Sequence, residues 1–417
     1  MRTNDLHIEL PASKSLSNRW LVLNYLLKSP FILRNLSDAD DTQLLADLLN
    51  QLRGGMSNLF YCRNAGTVAR FMMAILATTQ GNWRLTGDSR LRERPMAPLI
   101  SCLRNMGCGI VCTEREGFLP VDIAGHVPQF RMTEVDPTES SQYVSAMMLV
   151  GCALPNGVTL TLTDRASSRP YIDMTGAVLT QAGIRNAVSP NRRVYRVEPA
   201  GCEHRSQQAV NIERDWSSAS YIYAAAALLP GMRLRMQGLT YENSCQGDRV
   251  AKELFGMLGV ETREVRSPYR AGARSITIVG TGECPGLLEY NFIDCPDLLP
   301  AVLVTCAALG VKARLKGVKN LRLKESDRLA ALQTELCKMN GRMTVAETEV
   351  VVYPSELHPV EQVCAHNDHR IAMAFGVLSL RYPQITIDSP DSVSKSYPSF
   401  WSQIALIRKA MEKQSAR

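Results

Sequence analysis

No apolar run in this 417-residue chain reaches the length of a membrane span, and its first ten residues, MRTNDLHIEL, hold no apolar signal core. The expected compartment is the cytoplasm, away from any membrane. Cys-x-x-Cys pairs are missing too: the twelve cysteines are spread from Cys62 to Cys364 without matching histidines. They read as free thiols, not as metal ligands or a disulfide framework. Lys and Arg form no basic tract and are not interleaved with aromatics, and a formal charge of +7 is modest for this length. Nucleic acid is therefore not expected as a partner. A Walker GxxxxGK[ST] is absent, and Gly280-Thr281-Gly282-Glu283-Cys284-Pro285-Gly286 has the wrong spacing for a dinucleotide loop, so no nucleotide cofactor is indicated.

What the chain does contain is an ordinary globular composition, 45% hydrophobic and 21% charged, over enough length for two large domains. Near its start, Pro11-Ala12-Ser13-Lys14-Ser15-Leu16-Ser17-Asn18-Arg19 sets hydroxyls, a lysine and an arginine at the head of a helix, because Leu16, Trp20, Leu23 and Leu27 recur at helical spacing. Free N–H groups at a helix start attract anions. Five more segments share this design, a polar leader followed by a helix apolar or small on nearly every side. They are NAGTVARFMMAILAT, SSQYVSAMMLVGCAL, DWSSASYIYAAAALL, DCPDLLPAVLVTCAALG and NDHRIAMAFGVLSL. Helices of that kind are buried on all faces. The leaders begin near residues 15, 64, 141, 217, 295 and 367, a period of about 75 residues after a first interval of about 50.

Amphipathic helices alternate with the buried ones, from TQLLADLLNQL to the terminal SFWSQIALIRKAM, and short β-branched stretches such as GVTLTLTD, RSITIVG and TEVVVYP lie between. A solenoid would leave the buried helices uncovered. The expected architecture is therefore α/β, with six βαβαββ-like repeats arranged three per domain around a pseudo-threefold axis, and the first repeat short of one hairpin around Gly54-Gly55. The expected domains are residues 11–212, and residues 1–10 together with 213–417, joined by a pair of hinge strands. No amphipathic stripe is left over for a partner, so a monomer is expected.

If the six leaders converge, they supply what a doubly anionic site needs. Asn64-Ala65-Gly66-Thr67 lets a ligand approach backbone N–H groups. Gly87-Asp88-Ser89-Arg90-Leu91-Arg92-Glu93-Arg94-Pro95 carries three arginines. Ser140-Ser141-Gln142-Tyr143 and Ser168-Arg169-Pro170-Tyr171 offer the mixed donors and acceptors that ring hydroxyls require. Asp297 opens one nearly uncharged helix, and Asn320-Leu321-Arg322-Leu323-Lys324-Glu325-Ser326-Asp327-Arg328 sets opposite charges side by side, where a carboxylate can serve as acid or base. Asn367-Asp368-His369-Arg370 and Val393-Ser394-Lys395-Ser396-Tyr397-Pro398 complete the series. A helix-start histidine beside an aspartate is read as structural. Any one leader alone is explained by helix capping.

In order along the chain, PASKSLSNR, NAGT, GDSRLRERP, SSQY, SRPYID, SSASY, QGDR, NLRLKESDRL, NDHR and SKSYP resemble the motifs of the EPSP synthase family of enolpyruvyl transferases, over nearly the full length. The resemblance implies two inverted α/β barrels that close on substrates in a cleft. It also implies transfer of the enolpyruvyl group of phosphoenolpyruvate to the 5-hydroxyl of shikimate 3-phosphate, on the route to chorismate, with no metal or organic cofactor. Carried over, Lys14, Ser15, Arg19, Ser140, Ser141, Gln142, Ser168, Tyr171, Asp297, Asn320 and Lys324 surround shikimate 3-phosphate. Phosphoenolpyruvate meets Lys14, Asn64, Gly66, Arg90, Gln142, Arg328, Arg370 and Lys395. The catalytic set is Asp297, Glu325 and Lys14, with Asp297 taking the hydroxyl proton and Glu325 protonating the methylene carbon. The two ligands bring roughly five to six negative charges, opposed by Lys14, Arg19, Arg90, Lys324, Arg328, Arg370 and Lys395.

Three residues depart from the family's pattern: Ala12 and Arg63 stand where glycine is usual, and Phe71 where proline is common. Two rival readings follow from the same resemblance. One is the sister enzyme acting on UDP-N-acetylglucosamine, which lacks the SSQY and SRPYID pairing; the other is a catalytically silent phosphosugar-binding homologue, against which Lys14, Asp297, Glu325, Arg370 and Lys395 all argue.

Overall fold

The structure, a computed structural model, describes residues 5–128, 131–201, 208–266 and 274–415. They form two compact units, a first running from Lys14 to Ile212 and a second that joins the residues up to Ser13 to those from Glu213 onward. No helix among the described residues is long and apolar enough to cross a membrane.

The chain opens with β1 (Leu6–Ile8), which belongs to the second unit. The first unit follows as α1 (Lys14–Leu26), β2 (Phe31–Arg34), α2 (Asp40–Gly54), β3 (Leu59–Tyr61), α3 (Gly66–Ala77), β4 (Gly81–Thr86), α4 (Ser89–Arg92) and α5 (Ala97–Asn105). It continues with β5 (Gly109–Cys112), β6 (Val121–Gly125), β7 (Met132–Val135), α6 (Ser141–Gly151), β8 (Val158–Leu162), α7 (Arg169–Gln181), β9 (Asn186–Val188), β10 (Val194–Val197) and β11 (Gln208–Asn211). Local chemistry sets the helix ends. α2 carries Asp40 and Asp41 in its first turn and stops at Gly55, whose left-handed φ of 59° lets its N–H reach back to the last turn.

Two four-stranded sheets of this unit, β3-β4-β6-β5 and β7-β8-β10-β9, have the same topology: a parallel pair first, then two antiparallel pairings. Parallel neighbours need a crossover, and the buried helix supplies it, α3 from β3 to β4 and α6 from β7 to β8. No strand precedes α1 within the unit. Its repeat is closed from the far end, where β11 pairs in parallel with β2.

The second unit contains α8 (Trp216–Leu228), β12 (Arg233–Gln237), α9 (Ala251–Gly256), β13 (Val260–Arg266), β14 (Arg274–Gly280), β15 (Leu287–Asn291), α10 (Leu299–Leu309) and β16 (Lys312–Lys316). After these come α11 (Arg328–Lys338), β17 (Arg342–Val345), β18 (Glu349–Tyr353), β19 (Gln362–Val363), α12 (His369–Leu378), β20 (Thr386–Ile387) and α13 (Phe400–Ser415). Its sheets repeat the pattern as β1-β12-β14-β13, β15-β16-β18-β17 and a parallel pair β19-β20. Here the closing strand is β1, from the very start of the chain, parallel to β12. α8, α10 and α12 pack against one another, and every residue of α10 from Leu299 to Ala308 is buried, as an uncharged helix enclosed on all sides must be.

Two details differ from the sequence-based expectation. The hairpin lacking in the first repeat is lacking in the sixth as well, so each unit holds two four-stranded sheets and one two-stranded sheet among its described residues. And α1 is enclosed only over Leu16–Leu23, with Leu21 partly exposed even there: Asn24, Tyr25 and Leu26 also stay partly exposed, which suits the polar atoms of the first two. The chain's passages near residues 12 and 214 run antiparallel. Ser13 N–H donates to Glu213 O at 2.8 Å, Asp215 N–H donates to Pro11 O at 3.0 Å, and Ala12 bridges Arg214. Those bonds draw residues 11–13 into the second unit, and the backbone at Ala12 is not left-handed.

Candidate active site

In the first unit, Lys14 opens α1 and its ammonium donates to Asp41 Oδ2 at 2.9 Å, with 16% of the lysine side chain exposed. Ser15 follows, half-buried. One turn on, Arg19 is buried, and its guanidinium donates to Ser15 O (2.8 Å), Thr175 Oγ1 (2.8 Å), Tyr171 O (3.0 Å) and Ser145 Oγ (3.2 Å). Its charge also lies 5.8 Å from the Phe71 ring and 5.9 Å from that of Tyr171. Arg19 thus fixes α1 against α6 and α7, and Phe71 is one wall of that arrangement.

At the head of α3, a Cβ on Gly66 would stand 2.6 to 2.7 Å from the Arg94 guanidinium, so glycine is what allows the buried arginine to lie against the helix start. Arg90, the residue expected here, instead pairs with Glu93 at 2.9 Å and is about a third exposed. Asn64 precedes the same helix start. Arg63 adopts a left-handed φ of 46°, the physical reason a glycine suits its position. Its carbonyl accepts the Asp88 N–H at 2.9 Å and would stand 2.4 Å from a Cβ on Gly87.

Gln142 is clamped on both ends of its amide, accepting from Arg70 Nη1 at 2.6 Å and donating to Thr67 Oγ1 at 2.8 Å. Ser140 caps α6 by accepting the Gln142 N–H at 3.2 Å, and Ser141 behind it is buried. Ser168, left-handed at φ 53°, precedes α7, and Tyr171 lies in that helix's first turn.

In the second unit, Asp297 sits in a 3-10 turn, Pro296–Leu298, just ahead of α10, and does not cap the helix. Its carboxylate receives Arg328 Nη1 at 3.0 Å and Arg370 Nη2 at 2.9 Å, with Lys324 Nζ 3.7 Å away. Burial works to raise its pKa, but Arg370, Lys324 and Arg328 together overcome that and hold the carboxyl well below the usual carboxylate range. Arg328, the first residue of α11 and 1% exposed, also donates to Glu325 Oε2 at 2.9 Å and to Asp368 at 2.8 and 3.3 Å. One buried guanidinium therefore serves three carboxylates. Asp327 turns the other way, capping α11 through the Leu329 and Ala330 N–H groups, both at 3.1 Å.

Three participants were not assigned from sequence. Asp368 caps α12 through the Arg370 N–H at 2.9 Å while holding Arg328, and Ser326 Oγ donates to it at 3.0 Å. The leader Asn367-Asp368-His369-Arg370 was legible as a helix start, but Arg328 lies forty residues earlier. Asp248, from the QGDR segment, accepts a hydrogen bond from Ser217 Oγ, and burial together with the nearby Asp297 charge pushes its pKa up to about 6. The Tyr221 hydroxyl lies beside Arg370, and burial pushes its pKa up to about 12. His369 is buried, its Nδ1 3.7 Å from Asp368 Oδ1. Asn320 and Lys395 occupy two further 3-10 turns, Lys319–Leu323 and Pro390–Lys395, both half-buried.

The fold is that of enolpyruvyl transferases. An EPSP synthase from Acinetobacter baumannii superposes with a TM-score of 0.71 at 20% identity, covering 96% of this chain and 95% of that one. The enolpyruvyl transferase NikO from Streptomyces tendae gives 0.69 at 15% identity, over 97% and 95%. Within that class the chain belongs to the EPSP synthase (3-phosphoshikimate 1-carboxyvinyltransferase) family, whose model matches residues 5–404. The 3-phosphoshikimate 1-carboxyvinyltransferase of Bacteroides fragilis is 36% identical over 402 residues, 95% of this chain and 94% of that protein. That of Idiomarina loihiensis is 32% identical over 435 aligned positions, 96% of this chain and 98% of its own length.

Proposed function

We propose that this chain transfers the enolpyruvyl group of phosphoenolpyruvate to the 5-hydroxyl of shikimate 3-phosphate, releasing phosphate. The observation that supports this reading best is the cluster in which Arg328 and Arg370 are neutralised by Asp297, Glu325 and Asp368. An incoming carboxylate and phosphate compete for those guanidinium groups, each charge-assisted hydrogen bond contributing about 1.5 to 3 kcal/mol. Drawing Arg328 and Arg370 toward phosphoenolpyruvate loosens their hold on Asp297. Its basicity then rises as the substrate arrives, which suits a base that must wait for both reactants.

In this reading Asp297 accepts the 5-hydroxyl proton while the oxygen attacks C2 of phosphoenolpyruvate, and Glu325 gives a proton to the methylene carbon. Phosphate then leaves from C2 as Glu325 takes a proton back from the methyl group. Lys14, Ser15, Arg19, Ser140, Ser141, Gln142, Ser168, Tyr171, Asn320 and Lys324 bind shikimate 3-phosphate. Lys14, Asn64, Gly66, Gln142, Arg328, Arg370 and Lys395 bind phosphoenolpyruvate, and the contact expected of Arg90 passes to Arg94. Arg19 holds the Tyr171 backbone, and Arg70 holds the Gln142 amide.

The test is phosphate release by the purified chain given both compounds, with each alone as control. Release that needs both is the expected result; folded protein that binds shikimate 3-phosphate yet releases nothing would sink the proposal in favour of a silent homologue. Glu325→Gln should keep both ligands bound while turnover falls about 100-fold or more. Near-normal turnover in that variant would remove Glu325 from the proton transfers.

A further inference from the structure

Outside the cluster around Arg328, the second unit brings together a carboxylate, a thiol and an imidazole that the reaction does not use. Glu335, two turns along α11 from Arg328, has a fully buried carboxylate. His366 Nε2 lies 3.0 Å from its Oε1, and the Cys364 N–H donates to its Oε2 at 3.0 Å. The His366 N–H in turn donates to Cys364 Sγ at 3.4 Å, which brings the sulfur back toward the imidazole. Oxygen, sulfur and nitrogen all lie within 4.8 Å of one another. We propose that Glu335, Cys364 and His366 bind one thiophilic divalent cation of the Zn2+ class, with solvent as the fourth ligand.

The donor set is one Zn2+ favours, and zinc–ligand bonds of about 2.0 to 2.3 Å place neighbouring ligand atoms about 3.3 to 3.6 Å apart, between the 3.0 Å that separates His366 Nε2 from Glu335 Oε1 and the 4.8 Å that bounds the set. Access is available, since His366 is a third exposed. The electrostatics also fit. Asp388, which accepts the Ala365 N–H at 2.8 Å and touches the Cys364 thiol, adds a second carboxylate to the pocket. Lys338 Nζ, 2.8 Å from both oxygens of Glu335 and nearly half exposed, is the cation already there, and its long chain can withdraw to solvent. Binding replaces the Cys364 thiol proton, which passes to solvent, with a metal–sulfur bond. Cys364-x-His366 escapes a search for Cys-x-x-Cys pairs because its third ligand is supplied by a helix thirty residues earlier. His366 stands two residues before Asp368, so the cation ties α11 to the loop that leads into α12.

The experiment is a titration of the reduced, metal-free full chain with Co2+, following the near-ultraviolet thiolate-to-cobalt absorption, and then displacement by Zn2+. One Co2+ per chain should carry the band, and Zn2+ should remove it and raise the melting temperature. Cys364→Ser should abolish the band, and His366→Ala should weaken binding about 10-fold or more, since even outer partners of metal sites are worth about 10- to 100-fold. Lys338→Gln should tighten binding several-fold by removing the competing ammonium. That gain cannot arise from a misfolded variant. A band that survives in Cys364→Ser, weaker binding in Lys338→Gln, or no saturable binding overturns the proposal.

Discussion

A single missing atom decides the geometry at the head of α3. Because a Cβ on Gly66 would stand 2.6 to 2.7 Å from the Arg94 guanidinium, Gly66→Ala should push that arginine away. The expected result is a KM for phosphoenolpyruvate raised about 10-fold, the equivalent of one weakened charge-assisted contact, with KM for shikimate 3-phosphate changed far less. Steady-state kinetics with each substrate varied in turn measures this. Asp248 makes a prediction of a different kind. Its pKa is raised from 3.8 to about 6, so the folded state binds the more protons between about pH 4 and 6. Stability from this group is therefore present in acid and is lost as pH rises through 6, an effect on the order of 1–3 kcal/mol. Asp248→Asn keeps the shape and the acceptor for Ser217, and should gain on the unmodified chain in melting temperature between pH 5 and pH 7. A difference that stays constant over that range would show that the carboxyl does not titrate there.

Among the elements, the buried helices carry the densest packing. α8 touches both α10 and α12, and its Ala224–Ala227 run is buried throughout. Ala225→Leu should force those helices apart at a cost of about 1 to 3 kcal/mol, read as a melting temperature lowered by a few degrees. Such helices were legible in the sequence, since an uncharged run with a polar leader needs only local information to be placed inside. The missing hairpin of the first repeat was legible as a short interval between leaders. Its counterpart in the sixth was not, because an interval is read between two leaders and the sixth leader is the last of the series. The same limit applies within the site. The arginines at 90, 92 and 94 look alike in a loop, and only the position of Gly66 singles out Arg94; the leader holding Asp368 announced a helix start but not that residue's grip on Arg328, which depends on how α11 and α12 meet.

For the molecule as a whole, each unit is closed by a strand that is remote in sequence, β11 on β2 in the first and β1 on β12 in the second. Ile8, buried in β1, anchors the second closure. Ile8→Asp should loosen the second unit alone: hydrogen exchange should speed up in β12 and β14 and stay unchanged in α3 and α6. Faster exchange in both would mean that the two units do not unfold independently.

The pairing of Leu6 with Leu234 has a further consequence for how the protein is made. On a ribosome that adds about 5–20 residues per second, β1 emerges roughly 10 to 45 s before its partner. The nascent chain must complete the whole first unit while holding that strand unspent. An edge of three residues, two of them with polar side chains or partial exposure, is short enough to wait without seeding wrong pairings.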